Sequence, residues 1–287
     1  MIKTNFAQTM LEIKDLSKTF NPGTPNEKKA LRNINLTLES GDFVTIIGSN
    51  GAGKSTLFNA ICGNFYPDKG QILLNKQNII GKTDYQRAYD IGRLFQDPMK
   101  GTAPSMTIEE NLALAYGRKH KKQLFSKGTF KNNSSFFALN KRDVTYFREL
   151  LETLELGLEN RMRVKVGGLS GGQRQAVSLL MSTISSPKLL LLDEHTAALD
   201  PETAVKILNI TRKIVDKENI TTMMITHDIK AALSLGNRTI MMDDGEILFD
   251  ISGENRANLT PEELLTYYSK EKKKQLSNDR MLFSIEK

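Results

Sequence analysis

The sequence predicts an α/β fold with a helical region set between two strand-bearing regions. Three observations carry this. Phe43–Ile47, Leu189–Leu192 and Ile220–Ile225 are mostly apolar runs of strand length, the pattern of parallel strands buried on both faces. Each run feeds a glycine-rich or polar turn and then a helical segment, the order of a βα unit. From about Gln96 to Ser186 the signals are mostly helical, and the strand signals lie on either side.

The individual elements follow from local chemistry. Asn21 to Ala30 holds two prolines and a glycine and reads as a loop. Thr107-Ile108-Glu109-Glu110 is a capping box, with Ile108, Leu112 and Ala115 sharing one face of the helix it opens. Lys131-Asn132-Asn133-Ser134-Ser135 reads as a loop tip. Val144, Phe147, Leu151 and Leu154 form an apolar stripe that serves core packing. Asp200-Pro201-Glu202 gives a cap, a proline at the first helical position and an acid at the positive helix end. Thr260-Pro261-Glu262-Glu263 repeats that device.

Composition narrows the class. The chain has 287 residues, 39% hydrophobic and 25% charged, which excludes a mainly disordered protein. Its longest solid aliphatic run is Leu189–Leu192 and its mean hydropathy is −0.36, far from the roughly 18–20 apolar residues of a membrane helix. No apolar signal region opens the sequence, so secretion is not expected. The single cysteine, Cys62, excludes an intramolecular disulfide and a cysteine-based zinc site. A reduced, cytosolic protein is the expectation. The net charge is +7, and Arg118 to Arg142 alone carries eight basic residues and no acid. Such a run is either a solvated loop or a contact for anionic lipid, nucleic acid or an acidic protein face. No aromatic-rich sheet motif accompanies it, so nucleic acid is not favoured.

The chemistry begins at Gly48-Ser49-Asn50-Gly51-Ala52-Gly53-Lys54-Ser55. This satisfies the P-loop pattern between a predicted strand and a predicted helix. Glycines let backbone N–H groups converge on a phosphate, and the helix points its positive end at the same anion. Lys54 should reach the β- and γ-phosphates, and Ser55 should ligate Mg²⁺. Leu189 to Leu192 then ends in Asp193 and Glu194. Asp193 is placed to bind Mg²⁺ directly or through water, and Glu194 to orient or deprotonate an attacking water. Leu169-Ser170-Gly171-Gly172-Gln173 sets two glycines, a hydroxyl and N–H groups at a helix start, facing an anion.

Together these motifs resemble the ATP-binding cassette (ABC) family over roughly Leu11 to Ser269. The resemblance implies a P-loop NTPase (RecA-like) core with an antiparallel β-subdomain and an inserted helical subdomain. It implies that Ser170, Gly171, Gly172 and Gln173 complete the partner subunit's ATP site. Gln96 matches the glutamine loop that senses Mg²⁺, water and the membrane partner; Asp200 matches the loop crossing the dimer interface; His227 matches the switch histidine at the γ-phosphate. Phe20 is the candidate aromatic for adenine, and Gly48 to Thr56 form the ATP-binding set, Thr56 included. His195 stands where the family usually has proline; it reads as a tolerated loop substitution, and the competing reading is that, if protonated, it tunes Glu194 electrostatically.

The organisation implied is a nucleotide-binding domain over 1–269, with a helical subdomain at about 97–186 that holds the basic insertion 118–142, and a basic tail over 270–287. The function implied is an ATPase subunit using ATP and Mg²⁺ to power solute uptake, with amino acids as plausible cargo. Its partners would be a second cassette, identical or homologous, separate permease subunits and an extracytoplasmic substrate-binding protein. It would sit peripherally at the cytoplasmic face of the membrane, with the basic insertion reaching anionic lipid or an acidic permease surface. The competing reading is a soluble ABC-type ATPase acting on nucleic acid or ribosomes.

Overall fold

The computed structural model describes residues 8–124 and 141–270. The chain divides into two compact units, one built from residues up to Gly81 and from Met223 onward, the other from Lys82–Thr222.

The first unit opens with two long strands, β1 (Thr9–Phe20) and β2 (Lys28–Glu39). They pair antiparallel with Leu11 opposite Leu38 and Ile13 opposite Leu36. The inward residues Leu11, Ile13, Leu16, Leu36 and Leu38 are buried, as a sheet with one wet face requires. The loop between them is shorter than Asn21 to Ala30. It closes at Glu27, because Thr24 and Glu27 N–H groups bond back to Asn21 and Thr24 carbonyls, and Lys28 already pairs with Phe20. β3 (Phe43–Gly48) is buried from Phe43 to Ile47 and leads into α1 (Lys54–Cys62). β4 (Lys69–Leu74) and the short β5 (Gln77–Asn78) complete a sheet in the order β2-β1-β4-β5.

The second unit starts with α2 (Asp84–Arg87) and β6 (Ile91–Leu94). α3 (Ile108–Leu124) opens at the predicted capping box: Thr107 N–H donates to Glu110 Oε2 at 2.7 Å, and Glu110 N–H donates to Thr107 Oγ1 at 3.2 Å. Asn111, fully buried, bonds both the N–H and the C=O of Ala103, which pins the preceding loop to α3. α4 (Lys141–Glu152) buries Phe147 and Leu151, with Leu154 just past its end. Phe147 packs edge-on against Tyr116 at 5.7 Å. α5 (Gly171–Thr183) precedes β7 (Leu189–Asp193), which pairs in parallel with β6, Leu94 opposite Leu192. α6 (Pro201–Glu218) has Asp200 as its cap.

β8 (Thr221–Ile225) returns the chain to the first unit, followed by α7 (Ile229–Ser234), β9 (Arg238–Asp243), β10 (Glu246–Ser252), α8 (Gly253–Ala257) and a helix over 261–270. Within this unit the second sheet runs β10-β9-β3-β8, with β3 parallel to β9 and β10 antiparallel to β9. The Thr260 device caps the last helix, with Thr260 N–H donating to Glu263 Oε2 at 2.9 Å. No helix among the described residues is long and apolar enough to cross a membrane. The loop tip at Lys131–Ser135, the centre of the basic insertion and nearly all of the tail 270–287 lie outside the described residues.

Candidate functional site

In the first unit the P-loop bridges β3 and α1. Gly53, the residue before the helix, sits at φ 100° with no side-chain cap on α1. A Cβ there would lie 2.6 Å from the Ala30 carbonyl oxygen, so only glycine fits this turn. Gly53 gives α1 no side-chain cap at its N-terminus, the end of a helix that favours an anion. Lys54 is 5% exposed, and its Nζ donates to the carbonyls of Gly48 at 2.7 Å and Ser49 at 2.9 Å. Ser49, Asn50, Gly51 and Ser55 are exposed, Ala52 is buried and Thr56 is half-buried.

The β9–β10 turn braces this loop. Ser49 Oγ donates to Asp243 Oδ1 at 2.7 Å, and Gly245 N–H donates to Ala52 O at 3.0 Å. Neither partner belongs to a motif, and the sequence separation of 194 residues between Ser49 and Asp243 hides the contact. A second cation stands at the loop as well: a Cβ on Gly51 would lie 3.4 Å from Lys28 Nζ. Lys28 has no ion-pair partner among the described residues.

His227 follows β8 and is exposed. Thr226 N–H donates to Ile46 O at 3.1 Å, which sets His227 beside the strand end that becomes the P-loop. Asp228 caps α7 by accepting from Lys230 and Ala231 N–H groups. Phe20 ends β1, half-buried, with its ring edge-to-face on Phe65 at 5.3 Å and Lys18 Nζ at 5.6 Å from its centroid.

In the second unit two predicted residues leave adjacent strand ends. Gln96 is exposed two residues beyond β6, and Asp193 ends β7, the parallel neighbour of β6. Arg93 Nη2 pairs with Asp193 Oδ2 at 3.2 Å, both side chains about nine-tenths shielded, while its guanidinium lies 4.7 Å over Phe95. Glu194 follows at φ 46°.

Ser170 is the cap of α5. Its Oγ accepts from Gln173 N–H at 3.3 Å, and Gln173 Oε1 accepts from Ser170 N–H at 3.2 Å. Gly171 is exposed, while Gly172 is buried where a Cβ would collide with Thr203 Cγ2 on α6. Gln175, one half-turn on, reaches the Phe95 carbonyl at 3.5 Å, linking α5 to the glutamine segment. Asp200 is exposed and accepts from Thr203 N–H at 3.0 Å; hydrogen bonds from Thr203 hold its carboxyl below the usual range.

Of the two readings of His195, the electrostatic one fails. The ring is 2% exposed, and burial pushes it down to about 4. It is neutral at pH 7, so it supplies no positive charge to tune Glu194. Its Nε2 instead lies 3.3 Å from Thr211 Oγ1.

Comparison with known proteins gives a consistent set of likenesses. A family profile described as ABC transporter matches residues 31–197. The chain is 46% identical over 258 residues to a tyrosine transport ATP-binding protein of Clostridioides difficile, covering 89% of this chain and 97% of that one. It is 32% identical over 241 residues to a xylose/arabinose import ATP-binding protein of Sulfolobus acidocaldarius, covering 84% of this chain and 87% of the relative. Among solved structures, the dimeric post-hydrolysis state of the ATP-binding cassette MJ0796 bound to ADP and Pi is 30% identical with a TM-score of 0.69, covering 85% of this chain and 98% of that chain.

Proposed function

The chain belongs to the ABC transporter family, and from that premise we propose that it is the ATP-hydrolysing subunit that powers solute uptake through separate permease subunits. Its fold is the P-loop NTPase cassette of that family. The observation that carries the reading is the 46% identity to a transport ATP-binding protein, spanning 97% of that relative. Import names recur among the other relatives, which supports transport over an ATPase acting on nucleic acid or ribosomes. We take residues 1–269 as the nucleotide-binding domain with 97–186 as its helical subdomain.

Each role below is part of this proposal. Backbone N–H groups of the P-loop and the open end of α1 bind the phosphates, and Lys54 exchanges its two loop carbonyls for phosphate oxygens. Phe20 offers its ring to the adenine. Ser55, Asp193 and Gln96 supply a hydroxyl, a carboxylate and an amide oxygen, and this hard-oxygen set fits Mg²⁺. When bound, Mg²⁺ neutralises charge on the β- and γ-phosphates. Glu194 orients and deprotonates the attacking water, and His227 hydrogen-bonds the γ-phosphate. Ser170, Gly171, Gly172 and Gln173 present a helix start to the nucleotide of a second cassette, and Asp200 lies at that interface.

The chain works at the membrane, peripherally, with its permease and with an extracytoplasmic substrate-binding protein that delivers an amino acid. The identity to a tyrosine transport protein supports that cargo class. The test is Glu194→Gln. It is expected to keep ATP binding and to cut hydrolysis by about 10²–10⁴. Extracted from membranes in mild detergent, it should bring a polytopic permease with it. Normal turnover would overturn the catalytic assignment. Recovery only with nucleic acid or ribosomes would overturn transport.

A further inference from the structure

Between β7 and α6 the chain carries Glu194 and Asp200 on a short connection that must hold the glutamate still. Glu194 lies in the left-handed region at φ 46°, which a residue with a side chain keeps only where its surroundings impose it. Two bonds flank it after the strand. Ala197 N–H donates to Glu194 O at 3.0 Å. The next residue, His195, is buried with Nε2 at 3.3 Å from Thr211 Oγ1, on the third turn of α6.

The direction of that second bond follows from proton counting. Thr211 is fully buried, and its Oγ1 donates to Ile207 O at 2.9 Å. A hydroxyl has one proton, so Thr211 meets the ring with a lone pair and the ring donates. Nε2 therefore carries the hydrogen of the neutral imidazole. Thr211 is remote from the nucleotide-contacting residues in sequence, and its hydroxyl is spent on these two partners.

We infer that the His195–Thr211 hydrogen bond is a strap that fixes the Glu194 backbone and thereby aims its carboxylate. His195 and Thr211 are positioning residues for ATP hydrolysis. The strap rests on the reading of Glu194 given above. It joins the residue after the glutamate to the helix that Asp200 caps.

The test uses the full chain and steady-state ATP hydrolysis across ATP concentrations, well below each variant's melting temperature. Thr211→Val keeps the volume and removes the acceptor. His195→Ala removes the donor. His195→Gln returns an amide N–H at about the reach of the ring Nε2. Thr211→Val and His195→Ala should each lower kcat about tenfold, with KM for ATP within about twofold, because a misaimed group costs rate and not binding. The double variant should be no slower than the slower single, and His195→Gln should recover most of the loss. A wild-type kcat in Thr211→Val, single losses that multiply in the double, or a loss confined to KM would each overturn the strap. Glu194→Gln in the same assay separates the two readings. If it turns over normally, both fail; if it is inactive while Thr211→Val is unimpaired, the strap alone fails.

Discussion

Lys28 faces Phe20 across the β1–β2 ladder, and its ammonium hangs at Gly51 of the P-loop. Side chains alternate across a strand, so Lys29 points to the other face. A cation held beside bound phosphates adds a charge-assisted contact that salt screens. Lys28→Ala should raise the Kd for MgATP about three- to tenfold at low salt, with Lys29→Ala unchanged and the difference shrinking as salt rises. Titration with a fluorescent ATP analogue checks this, and equal affinities for the two variants would refute it. The contrast with Lys54 shows what a sequence exposes at this scale. Lys54 is legible because its motif occupies eight consecutive positions. Lys28, Asp243, Arg93 and Thr211 carry no such mark, because their partners arrive through the fold. His195 differs again: burial removes the charge that its electrostatic reading required.

Elements were readable where one local signal decides them. The buried runs became β3, β7 and β8, and the capping residues Thr107, Asp200 and Thr260 begin helices as their chemistry dictates. The antiparallel strands were less legible, because their pairing depends on distant segments and on register breaks. One signal was present and usable: Asp244 and Gly245 both have positive φ at the β9–β10 turn, and Asp-Gly is a strong hairpin marker. Helix contacts add a constraint that no propensity shows. α5 and α6 meet at Gly172 and Thr203, with no room for a Cβ on the glycine. Gly172→Ala should destabilise the fold by about 1–3 kcal/mol through overpacking. Thr203→Ala removes the colliding methyl, so the double variant should regain most of that loss. Urea unfolding of the four proteins measures it, and additive losses would show that the clash is not the cause.

At the scale of the whole molecule, each chain carries one P-loop and one signature helix, and the premise of a shared site makes a sharp prediction about mixtures. The solved relative MJ0796 is a dimer, and in this chain Ser170 is exposed at the start of α5. Lys54→Ala removes the P-loop lysine and leaves the signature intact. Ser170→Arg obstructs the signature and leaves the P-loop intact. On that premise each alone would form a homodimer with two defective sites. In the mixed dimer both lesions fall in one site, and the other site receives a sound P-loop from one chain and a sound signature from the other. Equal mixing gives half mixed dimers with one working site each, so about a quarter of wild-type activity should return if the sites act independently. Activity is read on addition of one silent variant to the other at fixed total protein, with scattering-based mass to follow the dimer. A mixture as silent as its components, while dimers form, would mean that each chain completes its own site. Activity in Ser170→Arg alone would mean that Ser170 completes no site.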